Sequence, residues 1–161
     1  MATRPKPPRP QPGPTPLGFY NFAVSYHEGA DLIADRGLKA THPESVAMFL
    51  YYHAIELYLK SFLRLQGVTA KRLRKIGHDF QTLQSRAKKR GLPFGKVEEE
   101  VLDALDGEIW SRARYLISGP LRAPSLTMLS KTSIALRQSV GKAFHDSGEP
   151  IRMPSHRTPK R

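Results

Sequence analysis

The chain has 161 residues, with 26 Lys and Arg against 14 Asp and Glu, a formal charge of +12 and a pI near 10.2. It contains no cysteine, which excludes a disulfide framework, thiolate catalysis and a Cys-ligated metal. A chain of this length is expected to form one folded domain with tails, and its basic excess favours polyanionic partners such as nucleic acid or an anionic surface.

The charge is unevenly placed. Residues 1–15 carry three basic groups and no acid, and residues 146–161 carry four basic groups and two acids. Residues 64–90 hold nine Lys and Arg against the single acid Asp79, whereas residues 98–108 hold six acids and no base. The basic and acidic segments are expected either to face each other, within one chain or across a dimer, or to leave a basic pole and an acidic pole.

Residues 1–15 contain six prolines and no apolar periodicity, and read as a disordered or polyproline-type basic arm. No apolar leader precedes the first periodic segment, so a cytoplasmic location is expected. The first helix is expected over 16–38, with Leu17, Tyr20, Phe22, Ala23, Tyr26, Ala30, Ile33 and Ala34 on a broad apolar face. Thr41-His42-Pro43-Glu44 is a start signal for a second helix that runs to the stop at Gly67.

This second helix is the centre of the sequence. It is apolar in nearly every direction, which places it inside a bundle or in a membrane. Its full charges between Ser45 and Gln66 are Glu56, Lys60 and Arg64. Two of them would sit deep in lipid at several kcal/mol, so the core of a soluble bundle is expected. Their i, i+4, i+8 spacing puts them on one face, in a row extended by Met48 and Tyr52. The row reads as a solvated or structural ion-pair face, worth about 0.2–0.5 kcal/mol per pair, or as part of a site. His53, inside the same helix, reads as a core or interface histidine.

Residues 68–77 are expected to form a basic loop or short turn. A third helix is expected from about Asp79 to Arg90, with Phe80, Leu83 and Ala87 inward, before the break Gly91-Leu92-Pro93-Phe94-Gly95. A fourth helix is expected over 96–118, with Val97, Val101, Leu105, Ile109 and Trp110 inward. A fifth is expected over 125–144, with Leu126, Leu129, Ser133, Leu136 and Val140 as its stripe, and residues 146–161 form a basic tail. The fold class is therefore all-α, an antiparallel four- to five-helix bundle over residues 16–145.

Two groups of side chains carry candidate chemistry. His78 follows Gly77 and opens a helix beside Asp79, so either residue can cap that helix. Alternatively, His78 is a general acid and base, with Arg72, Arg74 and Lys75 holding a phosphate beside it. Lys71, Arg72, Arg74 and Lys75, with Lys88, Lys89 and Arg90, form two basic clusters that read as a solvated face or as a salt-sensitive phosphate-contact surface. Arg112, Arg114 and Tyr115 fall late in the fourth helix. There the cations suit the helix dipole, and Arg114 makes a phosphate-sized pair with Lys60 if the two share a groove. No His and carboxylate spacing matches a metal-ligand set, and no cofactor is expected.

The segment from Ala54 to Gly91 resembles the HEPN family of small helical domains from prokaryotic toxin and nucleotidyltransferase-partner systems. The resemblance is carried by Ala54, Glu56, Leu59 and Lys60 in AIELYLK, by Gly67, by Gly77, His78, Asp79, Phe80 and Leu83 in GHDFQTL, and by Arg114-Tyr115. It implies a helical bundle, commonly a homodimer with a cleft between protomers, that binds RNA or nucleotides. It also implies a nucleotidyltransferase or antitoxin protein as partner, and no membrane. Some members are metal-independent ribonucleases that use an Arg and a His a few residues apart near a late helix, with the RNA 2′-hydroxyl as nucleophile. In this chain Arg72 and His78 have a comparable spacing but precede the third helix. The expected catalytic residues are thus His78 and Arg72, and the expected ligand-binding residues are Glu56, Lys60, Arg74, Lys75, Asp79, Arg114 and Tyr115. The function expected first is an RNA- or nucleotide-binding module. A toxin-type endoribonuclease and a protein-interaction adaptor are the alternatives.

Overall fold

A computed structural model describes residues 13–39, 41–105 and 123–151. Among them are six helices and no strand: α1 Pro16–Arg36, α2 Pro43–Leu65, α3 Ala70–Ile76, α4 Phe80–Lys88, α5 Lys96–Ala104 and α6 Leu126–Asp146. The chain is all-α. No helix of the described residues is long and apolar enough to cross a membrane.

Most helices begin where an oxygen-bearing side chain satisfies an unpaired N–H group. Thr15, Thr69, Asp79 and Ser125 accept from the backbone of Gly18, Arg72, Thr82 and Met128 at the starts of α1, α3, α4 and α6. Pro43 opens α2 at a position where its missing N–H is no loss. At the start of α5 the Gly95 N–H donates to the Glu98 carboxylate at 2.6 Å.

The core is built on α2, which packs against α1, α6, α4 and α3. Tyr51, Tyr52, Ala54, Ile55, Tyr58, Leu59 and Leu63 are all but inaccessible. Along the α1–α2 hairpin, Pro16 meets Ser61, Tyr20 meets Tyr58 and Asp31 meets Tyr51, so the two helices run antiparallel. His27 is buried and its ring stays neutral more readily than usual, because burial outweighs the pull of Asp31. Tyr51 donates to Asp31 at 2.6 Å, and burial with that hydrogen bond pushes its hydroxyl up to about 12. The stripe expected on the last helix is present: Leu129, Ser133, Leu136 and Val140 are buried on α6.

Four expectations are corrected. Residues 68–77 are not a loop, because Thr69 caps a seven-residue helix that Gly77 ends. The helix that starts at Lys96 is short, and the later part of the expected span, with Ile109 and Trp110, lies outside the described residues. The helix ends at Ala104, and Leu105 leaves helical geometry with φ −82° and ψ 84° and is itself buried. Asp106-Gly107, a turn signal, follows at once in the sequence. On α1, Phe22 is 63% exposed rather than part of the inward face, and Val24 and His27 are buried there. Gly13 and Pro14 lie against the folded body rather than only in an arm. A Cβ on Gly13, which has φ +102°, would stand 2.6 Å from the Ala70 side chain.

Candidate functional site

The charged row of α2 is not a solvated face. Glu56 is 1% exposed and Arg64 7% exposed, and Tyr52 is fully buried in the same row. What covers them comes from elsewhere in the chain. The Arg64 guanidinium donates through Nε to the Pro14 carbonyl at 3.0 Å, and Ser61 donates to the Pro16 carbonyl at 2.8 Å. Helix α3 packs on the same side of α2. A buried carboxylate needs cationic or hydrogen-bonding partners to stay in the interior.

Glu56 has them. Lys60, one turn along α2, donates its ammonium to Oε1, and His78 Nδ1 lies 2.8 Å from Oε2. His53 Nδ1 stands 3.9 Å from Oε2, with its ring edge-on to Tyr26 and stacked on Phe49. One dry carboxylate therefore holds a lysine and one histidine, with the second histidine nearby but beyond hydrogen-bond distance.

His78 reaches Glu56 because of the turn between α3 and α4. Gly77 takes φ +64°, a conformation that costs glycine little, and ends α3 three residues before α4 begins. Asp79 then starts α4. Its Oδ1 accepts from the Thr82 N–H at 2.8 Å and its Oδ2 from the Thr82 hydroxyl at 2.6 Å. These hydrogen bonds hold the Asp79 carboxyl below the usual carboxylate range. Asp79 is thus committed to the cap, which leaves His78 to turn toward α2.

The His78 side chain remains 45% exposed while its Nδ1 is fixed. A carboxylate only accepts, so Nδ1 carries the proton shared with Glu56, and in the neutral ring Nε2 holds the lone pair. A carboxylate that orients an imidazole in this way selects its tautomer.

Beside this cluster lies a cleft of about 170 Å³, lined by Pro14, Phe19, Lys60, Ala70, Leu73 and Arg74. Helix α3 contributes Ala70, Leu73 and Arg74, at i, i+3 and i+4, so these three share a face. Arg72 and Arg74 are two positions apart and point to opposite sides of α3. The cation on the cleft wall is therefore Arg74. Arg72 is exposed, as are Lys71 and Lys75, on a helix whose exposed surface is almost wholly basic. The fold brings Glu56, Lys60, Arg74 and His78 to one side of α2. It leaves Arg72 and Lys75 outside the cleft and occupies Asp79 elsewhere. Arg114 and Tyr115 lie outside the described residues.

Part of the acidic segment meets the basic one within the same chain. Lys88 of α4 pairs with Glu99 of α5, and Gln81 donates to the Asp103 carbonyl at 3.1 Å. Both members of the ion pair are well exposed, so it adds little stability. The exposed cations Lys71, Arg72 and Lys75 of α3 take no part in this contact.

The chain matches no family model, no curated protein and no solved structure.

Proposed function

We propose that this chain is an RNA- or nucleotide-binding module that grips phosphate at the cleft between Lys60 and Arg74, as its resemblance to HEPN domains implies. The observation that carries this reading is the arrangement on Glu56. A buried carboxylate anchors both the Lys60 ammonium and the His78 imidazole, and Lys60 lines a cleft together with Arg74. An ammonium has three donors and Glu56 uses one, so Lys60 retains hydrogen-bonding capacity toward a ligand oxygen. The exposed Lys71, Arg72 and Lys75 extend the same sign of charge beyond the cleft, which suits a polyanion longer than one phosphate. The helical bundle then acts as the HEPN-type scaffold, with a second copy of the chain and a nucleotidyltransferase or antitoxin protein as its partners.

Titration with a labelled oligoribonucleotide tests this reading. Binding is expected to weaken steeply with added salt, and Arg74→Ala is expected to reduce the log–log salt slope by about one. No binding at low salt would reject the reading and favour a protein-interaction adaptor.

The 2.8 Å contact between His78 and Glu56 supports a second reading, metal-independent phosphodiester cleavage. His78 Nε2 would take the proton of a 2′-hydroxyl as that oxygen attacks the adjacent phosphorus. The 5′-oxygen would leave with a proton taken from water while His78 returns its own proton to solvent, giving a 2′,3′-cyclic phosphate and a 5′-hydroxyl. Lys60 and Arg74 would stabilise the charge on the phosphorane oxygens. If so, wild-type protein cleaves RNA in EDTA, and His78→Ala loses at least about 100-fold in rate with its helicity intact. Equal rates for the two proteins would remove His78 from any chemistry.

A further inference from the structure

Phe22 is a large apolar side chain at 63% exposure on α1, where the helical period alone would have placed it among the inward residues. It lines an apolar hollow of about 290 Å³ with Pro14, Gly18, Phe19 and Leu57. This hollow has no charged residue in its wall. It adjoins the cleft of Lys60 and Arg74, because Pro14 and Phe19 line both. Leu57 and Lys60 are three residues apart on α2, and Phe19 and Phe22 are three apart on α1. The apolar hollow and the cationic cleft are therefore about one helical turn apart, roughly 5 Å. That is the reach from the phosphate to the base within a single nucleotide.

We infer that the Phe22 hollow is a base-stacking subsite, so that the site takes a nucleotide unit, with its phosphate between Lys60 and Arg74 and its base against Phe22. The inference rests on the phosphate reading given above and narrows its ligand to one that carries an aromatic ring. The juxtaposition favours this occupant over a purely apolar one. A ligand in the hollow would extend directly to two cations, and a wholly apolar ligand would leave them without complementary charge. Stacking on an exposed aromatic is tolerant of base identity, so sequence preference is expected to be weak. Pro14 is fixed as the shared wall by the hydrogen bond from Arg64 to its carbonyl, so the two subsites keep their spacing.

The test compares an oligouridylate with an abasic oligonucleotide of equal length and phosphate number, for wild type, Phe22→Ala, Phe22→Trp and Arg74→Ala. Phe22→Ala is expected to weaken oligouridylate binding about ten-fold and to leave abasic binding within two-fold. Phe22→Trp is expected to restore or improve oligouridylate binding, and Arg74→Ala to weaken both ligands. Because Phe22 is largely exposed, circular dichroism of both Phe22 variants is expected to match wild type. Unchanged oligouridylate affinity in Phe22→Ala would overturn the stacking subsite while leaving the phosphate cleft standing. Equal losses for both ligands, or a change in sedimentation showing that Phe22 is covered by a second copy of the chain, would also overturn it. Failure of wild type to bind either ligand would remove the phosphate reading itself, and the inference with it.

Discussion

Glu56→Ala is expected to lower the unfolding free energy by about 3 kcal/mol, measured as a shift of the urea midpoint at constant slope. The residue sits in the driest part of α2 that carries charge, and its carboxylate is the common acceptor for Lys60 and His78. Truncation leaves a mostly buried ammonium, with 12% of the side chain exposed, beside a cavity where the carboxylate had been. His78 contributes less to the loss, because its half-exposed ring can exchange Glu56 for water. Glu56→Gln keeps the shape and one acceptor, and its cost is expected to be nearer 1–2 kcal/mol. The contrast between the two variants separates the charge from the volume. If Glu56→Ala cost less than about 1 kcal/mol, Glu56 and Lys60 would behave as an ordinary surface pair, and the organising role assigned to this carboxylate would be wrong.

Tyr58→Ala is expected to be still more damaging, at about 4 kcal/mol, and to leave the domain close to unfolding at ambient temperature. Tyr58 is fully buried at the middle of α2 and packs edge-on against Tyr20 of α1, with ring centroids 5.7 Å apart. Its hydroxyl lies 3.2 Å from His27 Nδ1, so the side chain combines ring packing with a buried polar contact between the two helices of the hairpin. Burial drives its hydroxyl well above the usual tyrosine range, which keeps it protonated at all physiological pH. Tyr58→Phe isolates the polar part and is expected to cost about 1 kcal/mol, since His27 then loses one buried partner. Chemical denaturation of the pair of variants gives both numbers. A Tyr58→Phe loss as large as that of Tyr58→Ala would place the stabilisation in the hydroxyl contact rather than in the ring.

Local signals made much of this fold legible. Thr15-Pro16, Pro43, Asp79 and Ser125 mark helix starts that the chain uses, and the periodic stripes of α4 and α6 face the core as their spacing indicates. Helix α3 was harder to see because four of its seven residues are basic and seven residues give no usable period. Its cap at Thr69 and its stop at Gly77 were nonetheless in the sequence. The end of α5 was obscured because apolar spacing continues through Ile109 and Trp110.

The candidate site was half legible. Spacing placed Glu56 and Lys60 on one face, and the family resemblance singled out both residues together with His78. Their burial was not legible, because the cover over that face comes from Pro14, Pro16 and α3, and periodicity describes a helix without its surroundings. The Glu56–His78 contact joins residues 22 apart through the Gly77 turn, so it depends on tertiary packing. The choice between Arg72 and Arg74 also turned on α3. In a loop either arginine could serve, whereas in a helix only the one aligned with Ala70 and Leu73 lines the cleft.

The central claim is that phosphate is held between Lys60 and Arg74, beside the His78–Glu56 pair. Its most direct test is the affinity of one labelled oligoribonucleotide for wild type, Arg74→Ala and Arg72→Ala at two salt concentrations. Both arginines are exposed and neither side chain is needed for the core, so the fold is expected to survive each change. The account predicts a loss of about ten-fold for Arg74→Ala and a clearly smaller loss for Arg72→Ala, with the larger drop in salt slope also at Arg74. Equal losses at the two positions, or a larger loss at Arg72, would mean that RNA lies along the outer face of α3 and not in the cleft, and would contradict the account.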